Sequence, residues 1–217
     1  MSAGGRIAPQ PEDEALTAEQ VGGLLGVSRE TIHRLQRYVD LLRHWNPRIN
    51  LVSAASLGDV WRRHILDSGQ LFRHIHPAAR VLVDLGSGAG LPGLILAVLG
   101  VPEVHLIESD QRKAAFLREA ARITGAALAV HATRIEAVKP FAADVVTARA
   151  FAPLSDLLRH AAPFFTATTV GLFLKGRDLR DELTPAQEKW IMQTQILASL
   201  TDPTGHILRV EALRAAH

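Results

Sequence analysis

The sequence predicts an α/β fold in which a mostly parallel sheet, with an antiparallel last strand, follows a helical N-terminal extension. Two observations predict it. Apolar residues recur at three- and four-residue steps before residue 80, and beyond it short apolar runs of strand length alternate with helical segments. Strands that alternate with helices form a parallel sheet covered on both faces. We therefore expect three parts: a mobile tail at 1–14, the helical extension at 15–78 and the α/β domain at 79–217.

Capping patterns set the expected helices of the extension. Residues 17–78 are expected to be helical, and Ser28 can cap one helix there, because its hydroxyl can accept a bond from a free backbone N–H. Asn46 and Pro47 should end that helix, since the residue before a proline avoids the helical conformation. Ser56 with Asp59 resembles a capping box, so a second helix is expected to begin there.

The α/β domain is expected to contain seven strands and four helices. An Asp202-Pro203 turn separates the two last strands. The expected strands lie near 81–85, 103–108, 127–131, 143–148, 169–175, 196–198 and 205–210. The expected helices lie near 92–100, 111–124, 153–162 and 185–194.

The first predicted strand carries an acid, Asp84, and runs into glycines at every second position, Gly86, Gly88 and Gly90. Glycine has no Cβ and tolerates positive φ, so a ligand can lie directly against this backbone. Leu91 stands where the dinucleotide fingerprint has its third glycine, and the sequence lacks the Gly-Lys-Ser/Thr of the triphosphate loop. The Asp-x-Gly-x-Gly-x-Gly form looks like the cofactor loop of S-adenosylmethionine-dependent methyltransferases; a plain tight turn is the alternative.

A second acid supports a nucleoside ligand. Glu108 ends the second predicted strand, 22 residues after Gly86. A carboxylate at this place typically accepts hydrogen bonds from ribose hydroxyls. The alternative is that it belongs to the cap of the next helix, together with Ser109 and Asp110.

Further polar residues follow the later strands. Ligands of open α/β sheets bind at the carboxyl ends of the strands, which places the loop 133–136, Arg149 and Lys175 on the same rim. Arg149 could bind the cofactor carboxylate or a substrate phosphate, or form a surface salt bridge. Lys175 could contact a nucleic acid backbone or be merely solvated. We assign no catalytic residue; Arg149 and Lys175 are the candidates.

Composition excludes several protein classes. No apolar run is long enough to span a membrane, and no signal peptide is evident at the N-terminus. The absence of cysteine rules out disulfides and thiolate metal sites, and also the cysteine nucleophile commonly used to methylate pyrimidine ring carbons. A cytoplasmic location fits these features, and we expect no metal site.

Positive charge is concentrated in the helical extension. Net charge is only +2, yet residues 27–80 hold nine arginines against four acids. Guanidinium groups suit phosphate contact, although a charge run is also typical of a solvated helix face. His64 and Asp67 lie three residues apart there; we expect a capping or surface pair rather than metal ligands.

The motifs together resemble one family, ribosomal RNA small subunit methyltransferase G, also called glucose-inhibited division protein B. The resemblance spans roughly residues 30–210. The Gly-x-Gly-x-Gly-Leu-Pro-Gly and His-Ile-Leu-Asp-Ser blocks are specific in combination. The matching segments are Trp45-Asn46, Ile49-Asn50-Leu51, His64-Ile65-Leu66-Asp67-Ser68, 84–93, 134–136, 149–152 and 174–176.

The resemblance implies a Rossmann-like S-adenosylmethionine-dependent methyltransferase that modifies N7 of one guanine in small-subunit (16S) ribosomal RNA. We further expect a monomer that acts on this RNA, either free or within the 30S subunit. The resemblance also implies cofactor contacts at Gly86, Leu91, Ile135, Glu136 and Arg149. With the loop and the second acid, the expected cofactor residues are Asp84, Gly86, Gly88, Gly90, Leu91, Glu108, Ile135, Glu136 and Arg149. The RNA-binding candidates are Arg62, Arg63, His64 and Lys175.

Two other functions are compatible with these residues. One is a small-molecule methyltransferase in which residues 17–78 form a lid; the other is a non-catalytic RNA-binding protein with a vestigial cofactor pocket. Glu108 also departs from the family, whose members commonly have Asp there. Guanine N7 has an in-plane lone pair and needs no deprotonation, so the lack of an obvious catalytic dyad is compatible with that acceptor.

Overall fold

The computed structural model describes residues 15–216, and the expected tail at 1–14 lies outside them. No helix in this part of the chain has the length and apolarity needed to cross a membrane. The helices are α1 (Ala18–Leu25), α2 (Arg29–Ile49), α3 (Ala54–Leu57), α4 (Asp67–Gly69), α5 (Gly93–Leu99), α6 (Gln111–Thr124), α7 (Leu154–Ala161) and α8 (Leu179–Gln187), with a π-helix at Trp61–Leu66 and short 3₁₀ turns at Gln70–His74, Ile135–Ala137 and Ala162–Phe164. The strands are β1 (Val81–Leu85), β2 (Glu103–Ile107), β3 (Leu128–His131), β4 (Val145–Arg149), β5 (Val170–Lys175), β6 (Trp190–Ala198) and β7 (His206–Ala215).

The strands form one seven-stranded sheet in the order β3-β2-β1-β4-β5-β7-β6. The pairs from β3 to β5 are parallel, whereas β7 is antiparallel to both β5 and β6. The predicted fold class, a mostly parallel sheet with an antiparallel last strand after helices, is therefore confirmed. The five parallel strands lie within two residues of their predicted bounds.

Two apolar cores cover the two faces of the sheet. Strand β1 contributes to both, because Leu82 packs into one core while Val83 and Leu85 pack into the other. A strand buried on both faces reads as a continuous apolar run, which is why the sequence located β1 so closely. The first core includes α2, α5 and α6, and the second includes α7 and part of α8.

The helical extension shares the first core with the sheet. Leu35 and Tyr38 of α2 are fully buried in it. Helix α2 also contacts the end of α6, where the Arg34 guanidinium donates to the Thr124 carbonyl (2.6 Å) and the Gly125 carbonyl (3.1 Å). Because guanidinium groups at a helix C-terminus satisfy its free carbonyls, this contact fixes α2 against α6.

Two predictions about the extension are wrong, although Ser28 does cap α2. Helix α2 continues through Pro47 to Ile49, because the buried Asn46 side chain accepts from the Val52 N–H (2.9 Å) and donates to the Val52 carbonyl (3.0 Å), closing the turn beyond the helix. Ser56 with Asp59 forms no capping box. Ser53 is the cap of α3, and the Asp59 carboxylate accepts from the Leu16 N–H (3.1 Å) instead.

The predicted helix near 185–194 is also wrong. The chain forms α8 earlier, and residues 190–194 belong to β6. Side-chain burial there alternates, with Trp190 and Met192 half-buried and Ile191 and Gln193 exposed, which is the two-residue period of a strand. The mixed apolar and polar run fits a helix in isolation, but pairing with β7 decides its conformation.

Replacing Gly93 with Ala should destabilise the fold by roughly 1–3 kcal/mol, the cost of overpacking a core. A Cβ there would lie 2.6 Å from the Asp84 Cβ and 2.5 Å from a Leu106 methyl, where α5 meets the sheet. Gly23→Ala in α1 is the matched control, since a Cβ there meets nothing within 4 Å and alanine favours a helix. Urea unfolding would compare the two; equal stability of both variants would contradict the packing argument.

Candidate functional site

The predicted site residues converge on one edge of the sheet. Leu85 of β1 is in register with Ile107 of β2 and Ala148 of β4, so the loops that follow these strands begin side by side. Arg149 is likewise level with Leu174 of β5. Gly86, Glu108, Arg149 and Lys175 therefore all lie at the carboxyl edge, as the sequence predicted.

The three glycines of the loop after β1 all have positive φ: 65° at Gly86, 54° at Gly88 and 86° at Gly90. Their surroundings differ. A Cβ on Gly86 would lie 2.4 Å from the Phe151 ring, and one on Gly90 would lie 2.8 Å from the Leu94 Cβ. A Cβ on Gly88 would meet only one atom within 4 Å, at 3.8 Å. Two glycines thus permit close packing, and the third leaves the loop surface open.

Neighbouring elements hold this loop in place. The buried Tyr38 hydroxyl of α2 donates to the Ala89 carbonyl at 2.7 Å. The Gly88 N–H donates to the Glu108 carboxylate at 2.8 Å, and the Ser87 N–H donates to the Ile107 carbonyl at 3.0 Å. The loop is therefore fixed by α2 on one side and by the end of β2 on the other.

Glu108 is only 8% exposed. Its second carboxylate oxygen accepts from the Asp110 N–H at 2.7 Å. Asp110, not Glu108, is the N-cap of α6, since its carboxylate accepts from the Arg112 N–H at 2.8 Å. Each Glu108 oxygen retains a lone pair, because an ionised carboxylate offers about four acceptor sites. Acceptance of ribose hydroxyls by Glu108 stays a prediction that this geometry permits.

Asp84 is completely buried beneath the loop. The Thr147 hydroxyl donates to its Oδ1 at 2.7 Å, while Oδ2 has no hydrogen-bond partner in the described part of the chain. Burial raises the pKa of the Asp84 carboxyl to about 6, while the neighbouring Thr147 and Ser87 hydroxyls and the Gly93 N–H oppose that rise. A buried carboxylate oxygen without a partner is costly and is suited to accept a proton or an added donor.

A cleft of about 370 Å³ opens beside the loop. This volume falls within the roughly 300–1,000 Å³ typical of small-ligand sites. It combines an open glycine backbone, a carboxylate acceptor and cationic side chains, which fits a nucleoside that carries an amino acid. The lining residues are Leu51, Val52, Ser53, Ser56, Arg63, His64, Gly86, Ser87, Gly88, Ala89, Leu91, Glu108, Lys113, Arg149 and Ala150.

Arg149 connects β4 to the π-helix of the extension. One of its guanidinium nitrogens lies 3.3 Å from the Asp67 carboxylate and 3.2 Å from Nδ1 of His64, and the other donates to the Arg63 carbonyl at 2.9 Å. Arg149 thus forms the salt bridge that was one expectation, with Asp67, and it also lines the cleft, which was the other. Its contact with a cofactor or a phosphate stays a prediction.

His64 is buried, so the expectation of a surface pair with Asp67 is wrong. Its Nε2 lies 2.8 Å from the Ser56 hydroxyl, which in turn donates to the Ser53 carbonyl at 2.7 Å. Burial, then the charges of Arg149 and Arg63, lowers the pKa of His64 to about 3. The ring is therefore neutral at physiological pH, donating to Ser56 and accepting from Arg149, and it orients Arg149 rather than presenting itself to RNA.

The loop 133–136 does not reach the lining of this cleft. Ile135 lies in a 3₁₀ turn and packs against the second core. Glu136 is mostly exposed and faces the His160 ring at 3.7 Å. The structure thus brings together the glycine loop, Glu108 and Arg149, whereas contact of Ile135 and Glu136 with a cofactor stays a prediction.

A second cavity, of about 260 Å³, adjoins the first along the carboxyl edge. Lys175, expected to bind nucleic acid or be solvated, is 11% exposed there and its Nζ lies 2.6 Å from the Glu182 carboxylate. Arg62 pairs with Asp59 at 3.1 Å nearby, and together with Arg63 it lines an adjacent polar groove.

The sequence gives no local signal for the contacts of two residues near these cavities, Tyr38 and Glu182. Tyr38 is the chain's single tyrosine and lies on the apolar face of α2 with Leu35 and Leu42. That spacing signals burial, but nothing local signals a bond to a loop 51 residues away. The position of Glu182 in a helix is not predicted either, because the predicted helix begins only near residue 185 whereas α8 begins at Leu179.

Comparisons of the whole chain with known proteins show its family. The family model for rRNA small subunit methyltransferase G (GidB) matches residues 31–207. A curated "Ribosomal RNA small subunit methyltransferase G" from Rhodospirillum rubrum is 55% identical over 201 residues, covering 93% of this chain and 100% of the relative. A protein of the same name from Rhodospirillum centenum is 58% identical, covering 87% of both chains.

Solved structures show the same fold at low sequence identity. A ribosomal protein L11 methylase from Lactobacillus delbrueckii subsp. bulgaricus has a TM-score of 0.57 at 15% identity, covering 70% of this chain and 78% of that one. A mutant of MtNAS, crystallised in complex with S-adenosylmethionine, has a TM-score of 0.56 at 14% identity, covering 92% of this chain and 86% of that one.

His64→Asn should make the free energy of unfolding less sensitive to mild acid than it is in the wild type. In the wild type the unfolded histidine takes up a proton below about pH 6.5, whereas the folded one does so only near pH 3, so the free energy of unfolding falls as pH decreases between these values. Without His64, the fall from pH 7 to 5 should be smaller by roughly 2 kcal/mol. Urea unfolding at several pH values measures this. The two curves should run parallel above pH 7, and parallel curves down to pH 5 would contradict the buried neutral ring.

Proposed function

The chain belongs to the rRNA small subunit methyltransferase G family, and from this premise we propose that it methylates N7 of one guanine in 16S ribosomal RNA. It is an S-adenosylmethionine-dependent rRNA methyltransferase. The single observation that supports the cofactor site most directly is the glycine loop, whose open Gly88 backbone is held by Glu108 at the carboxyl edge of the sheet. The acceptor atom, the assembly state of the RNA and the residue roles belong to the proposal.

Several residues of the cleft suit the cofactor. Glu108 is placed to accept ribose hydroxyls, and the exposed surface at Gly88 allows a ligand to lie against the backbone. Arg149 suits the carboxylate of the amino acid portion. Asp84 is fully buried beneath the loop and lies outside the lining of the cleft, so direct contact of its carboxyl group with the cofactor stays a prediction. When bound, S-adenosylmethionine supplies an electrophilic methyl group.

Methylation at guanine N7 requires the protein to position the two reactants, and it does not require the transfer of a proton before the attack. Guanine N7 attacks through an in-plane lone pair, so no base has to deprotonate it first. His64 is the histidine of the cleft, and both of its ring nitrogens are already engaged with Ser56 and Arg149. Holding the reacting atoms about 3–3.5 Å apart can contribute on the order of 7–11 kcal/mol to catalysis.

The RNA surface is proposed to include the arginines of the π-helix. Arg62 and Arg63 both line the polar groove beside the cofactor cleft, and Arg63 also lines the cleft itself; guanidinium groups suit phosphates. N7 faces the deep major groove of A-form RNA, which side chains cannot read. The target guanine is therefore expected to be unpaired or splayed out. The proposal also includes a cytoplasmic monomer that acts on this RNA, either free or within the 30S subunit.

Methyl transfer with labelled cofactor would test this proposal. Free 16S RNA, 30S subunits and whole ribosomes would be offered separately, with small nucleosides as controls. We expect one labelled site, identified by nuclease digestion and mass spectrometry as 7-methylguanosine. Label on another atom, or on the small nucleosides alone, would contradict the proposal.

Glu108→Ala should weaken S-adenosylmethionine binding by roughly 1–3 kcal/mol, the scale for losing charged hydrogen bonds. The change removes both the expected ribose acceptor and the partner of the Gly88 N–H. Calorimetric titration measures the affinity. Glu103→Ala is the matched control, because Glu103 begins the strand that Glu108 follows and its side chain is 61% exposed; an equal affinity of both variants would count against the role of Glu108.

Replacing Arg62 and Arg63 together with Ala should weaken RNA binding and reduce its salt dependence. Each lost phosphate contact on a single strand lowers the slope of log K against log salt by about 0.7. Filter binding over a salt series measures both effects. The control is Arg118→Ala with Arg122→Ala, two exposed arginines of α6. If the control pair lowered affinity and slope as much, the π-helix would not be the RNA platform.

A further inference from the structure

We propose that the second cavity is the pocket for the acceptor guanine and that Glu182 and Lys175 recognise its Watson–Crick edge. This inference rests on the proposed function and deepens it. Enzymes that modify a base commonly extrude it into a snug pocket and recognise it through hydrogen bonds to that edge and through stacking. Position, shape, charge and hydrogen bonding each support this assignment.

The cavity lies next to the cofactor cleft. It is formed at the ends of β4 and β5, beneath the start of α8 and the turn between β6 and β7. Arg149 and Ala150 line both spaces. The two spaces therefore adjoin at these residues, and a base in the second cavity would have to bring its N7 to within about 3–3.5 Å of the methyl carbon of a cofactor in the first.

The junction between the spaces has a shaped backbone and an aromatic wall. Ala150 has φ 47°, a conformation that non-glycine residues rarely adopt and that is retained where the surroundings impose it. It directs Phe151 over the glycine loop, where the ring occupies the place of a Cβ on Gly86, and the same ring lines the second cavity. Phe151 thus offers an apolar ring in the wall of the second cavity, against which a base can pack.

Glu182 and Lys175 supply the polar groups that guanine needs. The Glu182 Oε2 accepts from Lys175 Nζ and from the Leu154 N–H, both at 2.6 Å, while Oε1 has no hydrogen-bond partner among residues 15–216. Lys175 Nζ also donates to the Ala152 carbonyl at 3.3 Å, which leaves one of its three protons for another acceptor. Guanine presents two donors, N1–H and the 2-amino group, beside the O6 acceptor. The carboxylate and the ammonium are complementary to that row.

The charge of the cavity disfavours the alternative of a phosphate site. Its walls carry two cations, Arg149 and Lys175, and each of these is paired with a carboxylate of the same cavity, Asp67 and Glu182. Two further acids, Asp178 and Asp202, lie in the lining. A phosphate would meet more negative than positive groups, whereas a neutral base with N–H donors meets acceptors. Adenine would place an acceptor, its N1, against the carboxylate.

The size of the cavity matches a base rather than a whole nucleotide. At about 260 Å³ it is smaller than the roughly 300–1,000 Å³ of pockets that enclose drug-sized ligands. A single nucleobase can enter while its sugar and phosphates remain outside. The arginines of the π-helix border the same edge and are available for those phosphates.

The test combines a protein change with a change in the RNA. After wild-type enzyme has located the methylated guanosine, RNA with inosine at that position is prepared; inosine keeps N7, N1–H and O6 but lacks the 2-amino group. Methyl transfer rates (kcat/KM) are measured for guanosine and inosine RNA with wild type and with Glu182→Gln. We expect inosine to lower the wild-type rate about tenfold or more, as for loss of a hydrogen bond to a charged group, and to lower the rate of Glu182→Gln by less than a third of that factor.

Two controls separate the possible outcomes. Glu188→Gln makes the same chemical change at an exposed position just beyond α8, and it should retain the wild-type response to inosine. Calorimetry should show wild-type cofactor affinity for Glu182→Gln, since Glu182 lies outside the cofactor cleft. An equal inosine effect in wild type and Glu182→Gln, or no inosine effect in wild type, would overturn this inference. Absence of methylation of guanosine RNA by wild type would instead refute the proposed function.

Discussion

The site depends on one constraint: the chain must turn sharply after β1 while leaving bare backbone exposed to a ligand. Positive φ at three alternating positions produces that turn, and only glycine adopts this conformation without steric cost. Tyr38, Glu108 and Ile107 then fix the loop with hydrogen bonds. Because Tyr38 belongs to α2, the helical extension is part of the structure that shapes the cofactor cleft.

Arg149 organises the other half of the site. It receives Asp67 and His64 from the extension and stands at the border of two cavities. The neutral His64 is what allows this arrangement, since a protonated ring would present another donor and another positive charge to the guanidinium. The same buried ring therefore affects both stability and the position of Arg149: mild acid lowers stability through the unfolded state, and the folded ring itself is protonated only near pH 3.

Sequence patterns predicted what is decided locally. The parallel strands, the glycine loop and Glu108 were located because burial on both faces and the need for positive φ leave direct marks in the residue types. Residues 185–194 were misassigned because β6 is an edge strand whose conformation depends on pairing with β7. Tyr38 and Glu182 could not be assigned roles, since the partner of Tyr38 lies 51 residues away and Glu182 itself belongs to α8, whose position was predicted wrongly. His64 looked like a surface residue because its partners Ser56 and Arg149 are not adjacent in sequence.

The division into two cores has a consequence for synthesis on the ribosome. The core that joins the extension to β1 and β2 is built mostly by residues before 130, whereas α7 and α8, which cover the opposite face, come after residue 150. As the nascent chain emerges from its N-terminus, Val83, Leu85 and Ile107 have no cover until those helices follow. The incompletely synthesised chain therefore exposes an apolar sheet face, the type of surface that chaperones shield from aggregation.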